Sequence, residues 1–97
     1  MKAVYKYTFF LDDIQRLKMP VGAKILSVQV QGNTPCIWAE VETTNALQER
    51  AFVIKGTGHE IKERDLRYIG TFQMPPFVWH LYEVINVLHM NLEKANI

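Results

Sequence analysis

Residues 24–42 read KILSVQVQ-GNTP-CIWAEVE, two apolar–polar alternations separated by four turn-forming residues. A period of two places every second side chain on the same face of a β-strand. Glycine, asparagine and proline are residues that tight turns prefer. The stretch therefore predicts an antiparallel hairpin with strands at 24–31 and 36–42. Side chains expected to share a face are Leu26, Val28 and Val30 in the first strand, and Ile37, Ala39 and Val41, facing the core, in the second.

Similar strand patterns lie on both sides of this hairpin. They occupy residues 3–9, 14–19, 48–55, 66–74 and 77–82 and are separated by short polar or proline-containing segments. The strand at 48–55 follows the hairpin after a short turn, which favours an antiparallel meander of three consecutive strands. The predicted fold class is mainly β (α+β): a small antiparallel sheet or partly open barrel of about six strands.

The pattern changes at Glu83. Val84, Leu88 and Leu92 are four residues apart, which is the spacing of one helix face. We therefore expect one domain over residues 1–97, with a β-rich body at 1–82 and a short C-terminal helix at 83–97. Exposed sheet edges and an apolar helix stripe both favour self-association, so we expect a homo-oligomer.

Composition excludes several classes of protein. The 97 residues are 48% hydrophobic and 22% charged, with a net charge of +1 and both signs interspersed. Proteins that bind duplex nucleic acid usually carry a strong basic excess, so duplex nucleic acid is not an expected partner. No window is long and apolar enough for a membrane span, and no membrane partner is expected. The single cysteine, Cys36, cannot form an intramolecular disulfide and fits a reducing compartment.

The strongest candidate site follows the apolar run at 51–54. Lys55-Gly56-Thr57-Gly58-His59 ends a predicted strand in two glycines, which tolerate positive φ. Such a turn can direct successive backbone N–H groups into one concavity, with a lysine and a histidine beside it. The functional interpretation is a corner that binds an anion or a partner. The alternative is a hairpin or bulge turn in which the glycines only satisfy backbone geometry.

Aromatic residues supply two further candidates. Trp38 lies on the strand face opposite Ile37, where it could stack on a base, form a partner contact or pack beneath the C-terminal helix. Phe77, Trp79 and His80 form a cluster that could anchor the core or line a ligand site. Both interpretations stay open for each.

Metal and catalytic chemistry have little support in the sequence. His59, His80 and His89 show no metal-ligand spacing, so we expect no metal and no cofactor. Cys36 and the single serine, Ser27, lack the local motifs that activate a nucleophile. We therefore expect a protein that is not an enzyme.

Several blocks of the chain together resemble a family of small uncharacterised proteins found in tailed bacteriophages and prophages. The resemblance covers residues 4–83, and members of that family generally end soon after the last strand, so residues 84–97 depart from it. The blocks are YKY (5–7), MPVGAKILSVQ (19–29), PCIWA (35–39), GTGH (56–59), YIGTFQ (68–73) and VWHLYE (78–83).

The resemblance implies a non-enzymatic phage accessory protein in the host bacterial cytoplasm that counters host defence. It would act by sequestering a small anionic, nucleotide-derived signal or by binding a host defence protein. In the first case Lys55, Gly56, Thr57, Gly58 and His59 would donate to the ligand, Trp38 or Tyr68 would stack on a base, and Arg50 would add a charge. The alternatives are a structural or virion-associated assembly module and, third, a small enzyme acting on a phosphorylated substrate.

Overall fold

The computed structural model describes residues 1–85, which form seven β-strands in two antiparallel sheets. The strands are β1 (Lys2–Thr8), β2 (Ile14–Pro20), β3 (Lys24–Gln31), β4 (Thr34–Glu42), β5 (Leu47–Gly56), β6 (Leu66–Met74) and β7 (Phe77–Val84). One sheet has the order β1-β4-β3 and the other the order β2-β5-β7-β6. The mainly β prediction is confirmed, but the strands do not form a barrel.

The hairpin predicted at 24–42 is confirmed as β3 and β4, with a tighter turn than expected. Gly32 and Asn33 have φ angles of 52° and 67°, so these two residues make the turn and Thr34 already pairs with Gln31. Positive φ at both central residues is what a two-residue hairpin turn needs to match the twist of its strands.

A β-bulge changes which side chains of β3 face the core. The register shifts between Ile25 and Ser27, which leaves Leu26 half-exposed. Ile25, Val28 and Val30 pack against the core instead. The prediction that Leu26 shares a face with Val28 was therefore wrong, because the extra residue reverses the alternation at that point.

The predicted three-strand meander is also wrong, because β5 does not pair with the β3–β4 hairpin. It lies in the other sheet, between β2 and β7. Residues 51–54 are all buried. Phe52 and Ile54 belong to the core between the sheets, whereas Ala51 and Val53 pack on the outer side with Val84. A strand that is apolar on both faces buries the most apolar surface when it lies in the centre of a sheet whose two faces are both covered.

The two sheets pack face to face through one apolar core. Its members include Ile37, Ala39 and Val41 from the three-stranded sheet and Met19, Phe52, Phe72 and Leu81 from the four-stranded sheet. Phe9 and Phe72 meet edge to face, with ring centroids 5.8 Å apart. The connections between strands therefore lie at the two ends of the sheets, where the candidate sites are found.

The sheets approach most closely where β3 faces β6. A second bulge lies between Tyr68 and Gly70, so that Tyr68 is exposed while Ile69 packs against the core. A Cβ atom built on Gly70 would stand 2.7 Å from the Cγ1 atom of Val28. Glycine is therefore required at position 70 to let the two strands come this close.

The helix predicted from Glu83 does not begin there. Glu83 and Val84 complete β7, opposite Arg67 and Leu66 of β6. Cross-strand pairing on both sides of β7 outweighs the helical spacing of the side chains. The remainder of the predicted helix, residues 86–97, lies outside the described residues. Within residues 1–85 no helix is long and apolar enough to cross a membrane.

We predict that Gly70→Ala destabilises the protein by about 1–3 kcal/mol, because the added methyl group overlaps Val28 in a packed core. The measurement is urea-induced unfolding. Val28→Ala alone should also be destabilising, but the double variant should be clearly more stable than the sum of the two changes. Strict additivity would contradict the contact.

Candidate functional site

The segment Lys55-Gly56-Thr57-Gly58-His59, called the glycine corner below, forms a tight turn whose hydrogen bonds are made within the turn itself. The backbone N–H of His59 donates to the carbonyl oxygen of Gly56 at 3.0 Å, and Gly58 has a φ of 89°. Positive φ at the third position is the requirement of a type II turn. The N–H of Gly56 donates to Nδ1 of His59 at 3.1 Å. The side chain of His59 therefore folds back over the turn that carries it.

Two further donors predicted for this corner, on Thr57 and Lys55, also have partners in the chain. The N–H of Thr57 donates to the carbonyl oxygen of Val78 at 3.3 Å, and Nζ of Lys55 pairs with Oε1 of Glu63 at 2.9 Å. The N–H groups of residues 56, 57 and 59 are thus directed at acceptors within the protein. This geometry favours the turn interpretation over a concavity of free donors.

The same corner lines an aromatic cavity of about 430 Å³. The ring of His59 covers Gly56 so closely that a Cβ atom there would lie 2.7 Å from Cε1. Trp79 contacts the His59 ring edge to face at 6.2 Å and the Phe77 ring at 5.9 Å between centroids. The residues that line the cavity are Gly56, Thr57, His59, Pro76, Phe77, Val78 and Trp79.

One buried polar atom of Trp79, which lines this cavity, has no partner among residues 1–85. The indole N–H of Trp79 is buried and finds no acceptor among residues 1–85. A buried donor left unsatisfied costs about 1–3 kcal/mol. Such groups in native proteins call for a physical explanation, for example an acceptor supplied from outside the chain.

A chain of side-chain hydrogen bonds runs across the outer surface of β6 and β7. The Tyr68 hydroxyl is 2.5 Å from Oγ1 of Thr71, which is 2.9 Å from Nδ1 of His80. The other ring nitrogen of His80 lies 2.9 Å from Oγ1 of Thr57. Both ring nitrogens of His80 and the Tyr68 hydroxyl are therefore engaged, and the Tyr68 ring is held in position.

A second concave surface, the basic groove, lies at the junction of β3 and β6 and has a volume of about 380 Å³. It is lined by Gly22, Ala23, Lys24, Ile25, Leu26, Arg50, Arg67, Tyr68, Ile69 and Glu83. These include three cationic side chains and one carboxylate. The groove therefore carries a net positive charge, although the whole chain is nearly neutral.

The cationic residues of the basic groove differ in whether an ion pair already holds them. Arg50 holds Glu83 through two hydrogen bonds, of 2.6 and 2.7 Å, and also donates to the carbonyl oxygen of Ala23. Both members of this pair are largely buried. Lys24 and Arg67 are exposed and form no ion pair within the described part of the chain. Arg50 is thus a fixed structural cation, and Lys24 and Arg67 are available.

The predicted site residues fall into three separate places. Arg50 and Tyr68 both line the basic groove, whereas the segment 55–59 lies at the other end of β5. Arg50 and Gly56 are six residues apart on one strand, a distance of about 20 Å. Trp38 is half-buried on the outer face of the first sheet, opposite Lys6 and Ser27, and joins neither site.

Sequence reasoning did not find Lys24, Arg67 and Glu83 as site residues. Isolated charges on strands look like ordinary solvated side chains, and no local motif distinguishes them. Only the close approach of β3 to β6 brings Lys24 and Arg67 to the same groove.

Comparison with known proteins places the chain in a family. The model of a domain of unknown function, DUF7352, matches residues 1–89, and the chain belongs to this family. No curated protein matches the chain, and no solved structure matches it. The phage setting implied by the sequence blocks stays a prediction.

The Lys55–Glu63 pair makes part of the stability depend on pH. Burial raises the pKa of the Glu63 carboxyl, but the hydrogen bond and charge of Lys55 and nearby backbone donors lower it more, so the pKa lies below its ordinary value of 4.5. A carboxyl with a lowered pKa in the folded state stabilises the fold above its unfolded pKa. That contribution is lost as the pH falls through the folded pKa.

We predict that, as the pH is lowered from about 5 to about 3, the free energy of unfolding of the Glu63→Gln variant decreases less than that of the parent protein. The measurement is the urea midpoint of unfolding at several pH values. Glu49→Gln is the matched control, because Glu49 belongs to an exposed pair with Arg16. It should retain the acid sensitivity of the parent protein. Equal pH slopes for the parent and Glu63→Gln would exclude this role for the Lys55–Glu63 pair.

Proposed function

We propose that the protein is a non-enzymatic binding protein that holds an anionic, nucleotide-like ligand in the basic groove. The observation that carries the proposal is the pair of exposed cations, Lys24 and Arg67, in a groove whose lining also includes Tyr68. The groove thus offers charge for a phosphate, and the exposed ring of Tyr68, which meets Tyr82 on the outer face of β6, offers an aromatic surface for a base next to it.

The charge of the groove is not cancelled from within. Among the described residues, the only carboxylate in its lining is Glu83, which is already neutralised by two hydrogen bonds from Arg50. Lys24 and Arg67 therefore act on a ligand without a competing internal anion. The guanidinium group of arginine can bind a phosphate with two parallel hydrogen bonds, and the lysine ammonium adds a point charge.

The ring of Tyr68 is suited to stacking because it is both exposed and oriented. Its exposed fraction is 56%, its hydroxyl is bound to Thr71, and it meets Tyr82 edge to face at 5.6 Å. An oriented ring loses little conformational entropy when a base stacks on it. The groove volume of about 380 Å³ lies within the range of small-molecule sites, which is about 300–1,000 Å³.

A binding role is favoured over catalysis by the placement of reactive groups. The Cys36 thiol is buried and donates to the carbonyl oxygen of Thr34. No group of three His, Cys, Asp or Glu side chains suited to a metal is found among the residues the structure describes. In the setting that the resemblance implies, the host bacterial cytoplasm, such a protein would sequester a nucleotide-derived defence signal.

The test is isothermal titration of the full chain with ATP and with inorganic pyrophosphate. Lys24→Gln and Arg67→Gln should each weaken binding of both probes by about tenfold or more, because a hydrogen bond to a charged group contributes about 1.5–3 kcal/mol. Tyr68→Leu should weaken ATP binding and leave pyrophosphate binding unchanged, since only ATP has a base to stack.

Lys18→Gln is the matched control, because Lys18 lies on β2, outside the groove, and the substitution removes the same charge. It should bind both probes as the parent protein does. Absence of binding to either probe, or equal losses for Lys18→Gln and Arg67→Gln, would contradict the proposal. Conversion of ATP to products would instead establish an enzyme.

The alternative of an assembly module is favoured by a separate observation. Phe10 and Leu11, in the connection between β1 and β2, have exposed fractions of 77% and 43%. They border a cavity of about 340 Å³ together with Pro35 and Met74. Large apolar side chains clustered at one surface are typical of contacts between protein chains.

We predict that, if this surface joins copies of the chain, Phe10→Ser lowers the mass of the particle. Sedimentation velocity of the parent protein and the variant measures this directly. Val21→Ser removes another exposed apolar side chain, outside this cavity, and serves as the control. A monomeric parent protein would exclude self-assembly under the conditions used.

A further inference from the structure

We infer that the aromatic cavity beside the glycine corner is a second binding site, for a planar aromatic ring that carries a hydrogen-bond acceptor. The cavity has a volume of about 430 Å³ and is lined by residues 56, 57, 59 and 76–79. Within the described part of the chain it shares no lining residue with the basic groove. The inference therefore stands independently of the proposed function.

The walls of the cavity are suited to a flat apolar ligand. Phe77 is 61% exposed, although its neighbour Trp79 packs against the core. The Phe77 and Trp79 rings are inclined at 48° to each other, with centroids 5.9 Å apart. A large exposed ring beside a fixed one offers a surface on which an aromatic ligand can bury apolar area.

The hydrogen bonds of His59 determine which group it offers to a ligand. Nδ1 accepts the N–H of Gly56, so in this arrangement Nδ1 carries no proton and Nε2 carries it. Nε2 has no partner among the described residues. The side chain of His59 therefore presents a donor, and the site selects an acceptor.

The glycine at position 56 makes this arrangement possible. Any side chain there would collide with the His59 ring, whose Cε1, Nδ1 and Nε2 atoms lie 2.7, 2.9 and 3.1 Å from the Cβ position. The His59 ring is also braced by Trp79. The donor is thus held in place before a ligand arrives, which reduces the entropic cost of binding.

The indole N–H of Trp79 points to the same ligand chemistry. It is a buried donor of a residue that lines the cavity, and it has no acceptor in residues 1–85. No lysine, arginine or carboxylate lines the cavity among residues 1–85. An uncharged aromatic heterocycle with a ring nitrogen or carbonyl acceptor matches both the donor of His59 and the apolar walls.

The test compares isoquinoline, which has a ring-nitrogen acceptor, with indole, which is similar in size but offers an N–H donor. The readout is the indole N–H signal of Trp79 in a ¹H–¹⁵N spectrum of the full chain. The protein has two tryptophans, and Trp38→Phe assigns the two signals. We expect isoquinoline to shift the Trp79 signal saturably, to leave the Trp38 signal unchanged, and to bind about tenfold more tightly than indole.

His59→Phe retains an aromatic ring beside Trp79 and removes the donor, so it should abolish the preference for isoquinoline. Phe77→Leu changes an exposed wall of the cavity and leaves His59 in place, so it should weaken the binding of both compounds equally. A Trp79 signal that neither compound moves would overturn the inference. Equal binding of the two compounds to the parent protein would also overturn it.

Discussion

The central constraint on this fold is that residues 51–54 of β5 are apolar on both faces. Phe52 and Ile54 are buried between the sheets, and Ala51 and Val53 are buried on the outer side. A strand of this kind cannot lie at an edge or pair only with the hairpin beside it in sequence. It takes a central position between β2 and β7, which forces the chain to divide into two sheets.

The position of β5 also separates the two candidate sites. Arg50, near the start of the strand, and Gly56, at its end, lie about 20 Å apart at the rise of an extended chain. Arg50 is bound to Glu83 of β7, so it orders the floor of the basic groove rather than reaching into it. Removing one member of this buried pair would leave the other charge unpaired and destabilise the fold. Substitutions of Arg50 or Glu83 therefore cannot separate a loss of ligand binding from a loss of stability.

The glycine corner illustrates how one sequence signal can serve two structures. Two glycines around Thr57 are equally suitable for an anion-binding loop and for a self-contained turn. His59 favours the turn, because its ring accepts the N–H of Gly56 that an anion would need. The same bond leaves the opposite ring nitrogen as a donor toward the aromatic cavity.

The sequence alone determined the strand positions and the β3–β4 hairpin, because a period of two and turn residues act locally. It also identified the segment 56–59 and the aromatic cluster around Trp79 as unusual. The sheet order, the bulges at Leu26 and Ile69, and the strand end at Val84 were decided by tertiary packing. So was the basic groove: Lys24 and Arg67 are 43 positions apart in the sequence and meet only because Gly70 allows β6 to approach β3. Local periodicity carries no information about such contacts, since they depend on which buried faces pack together.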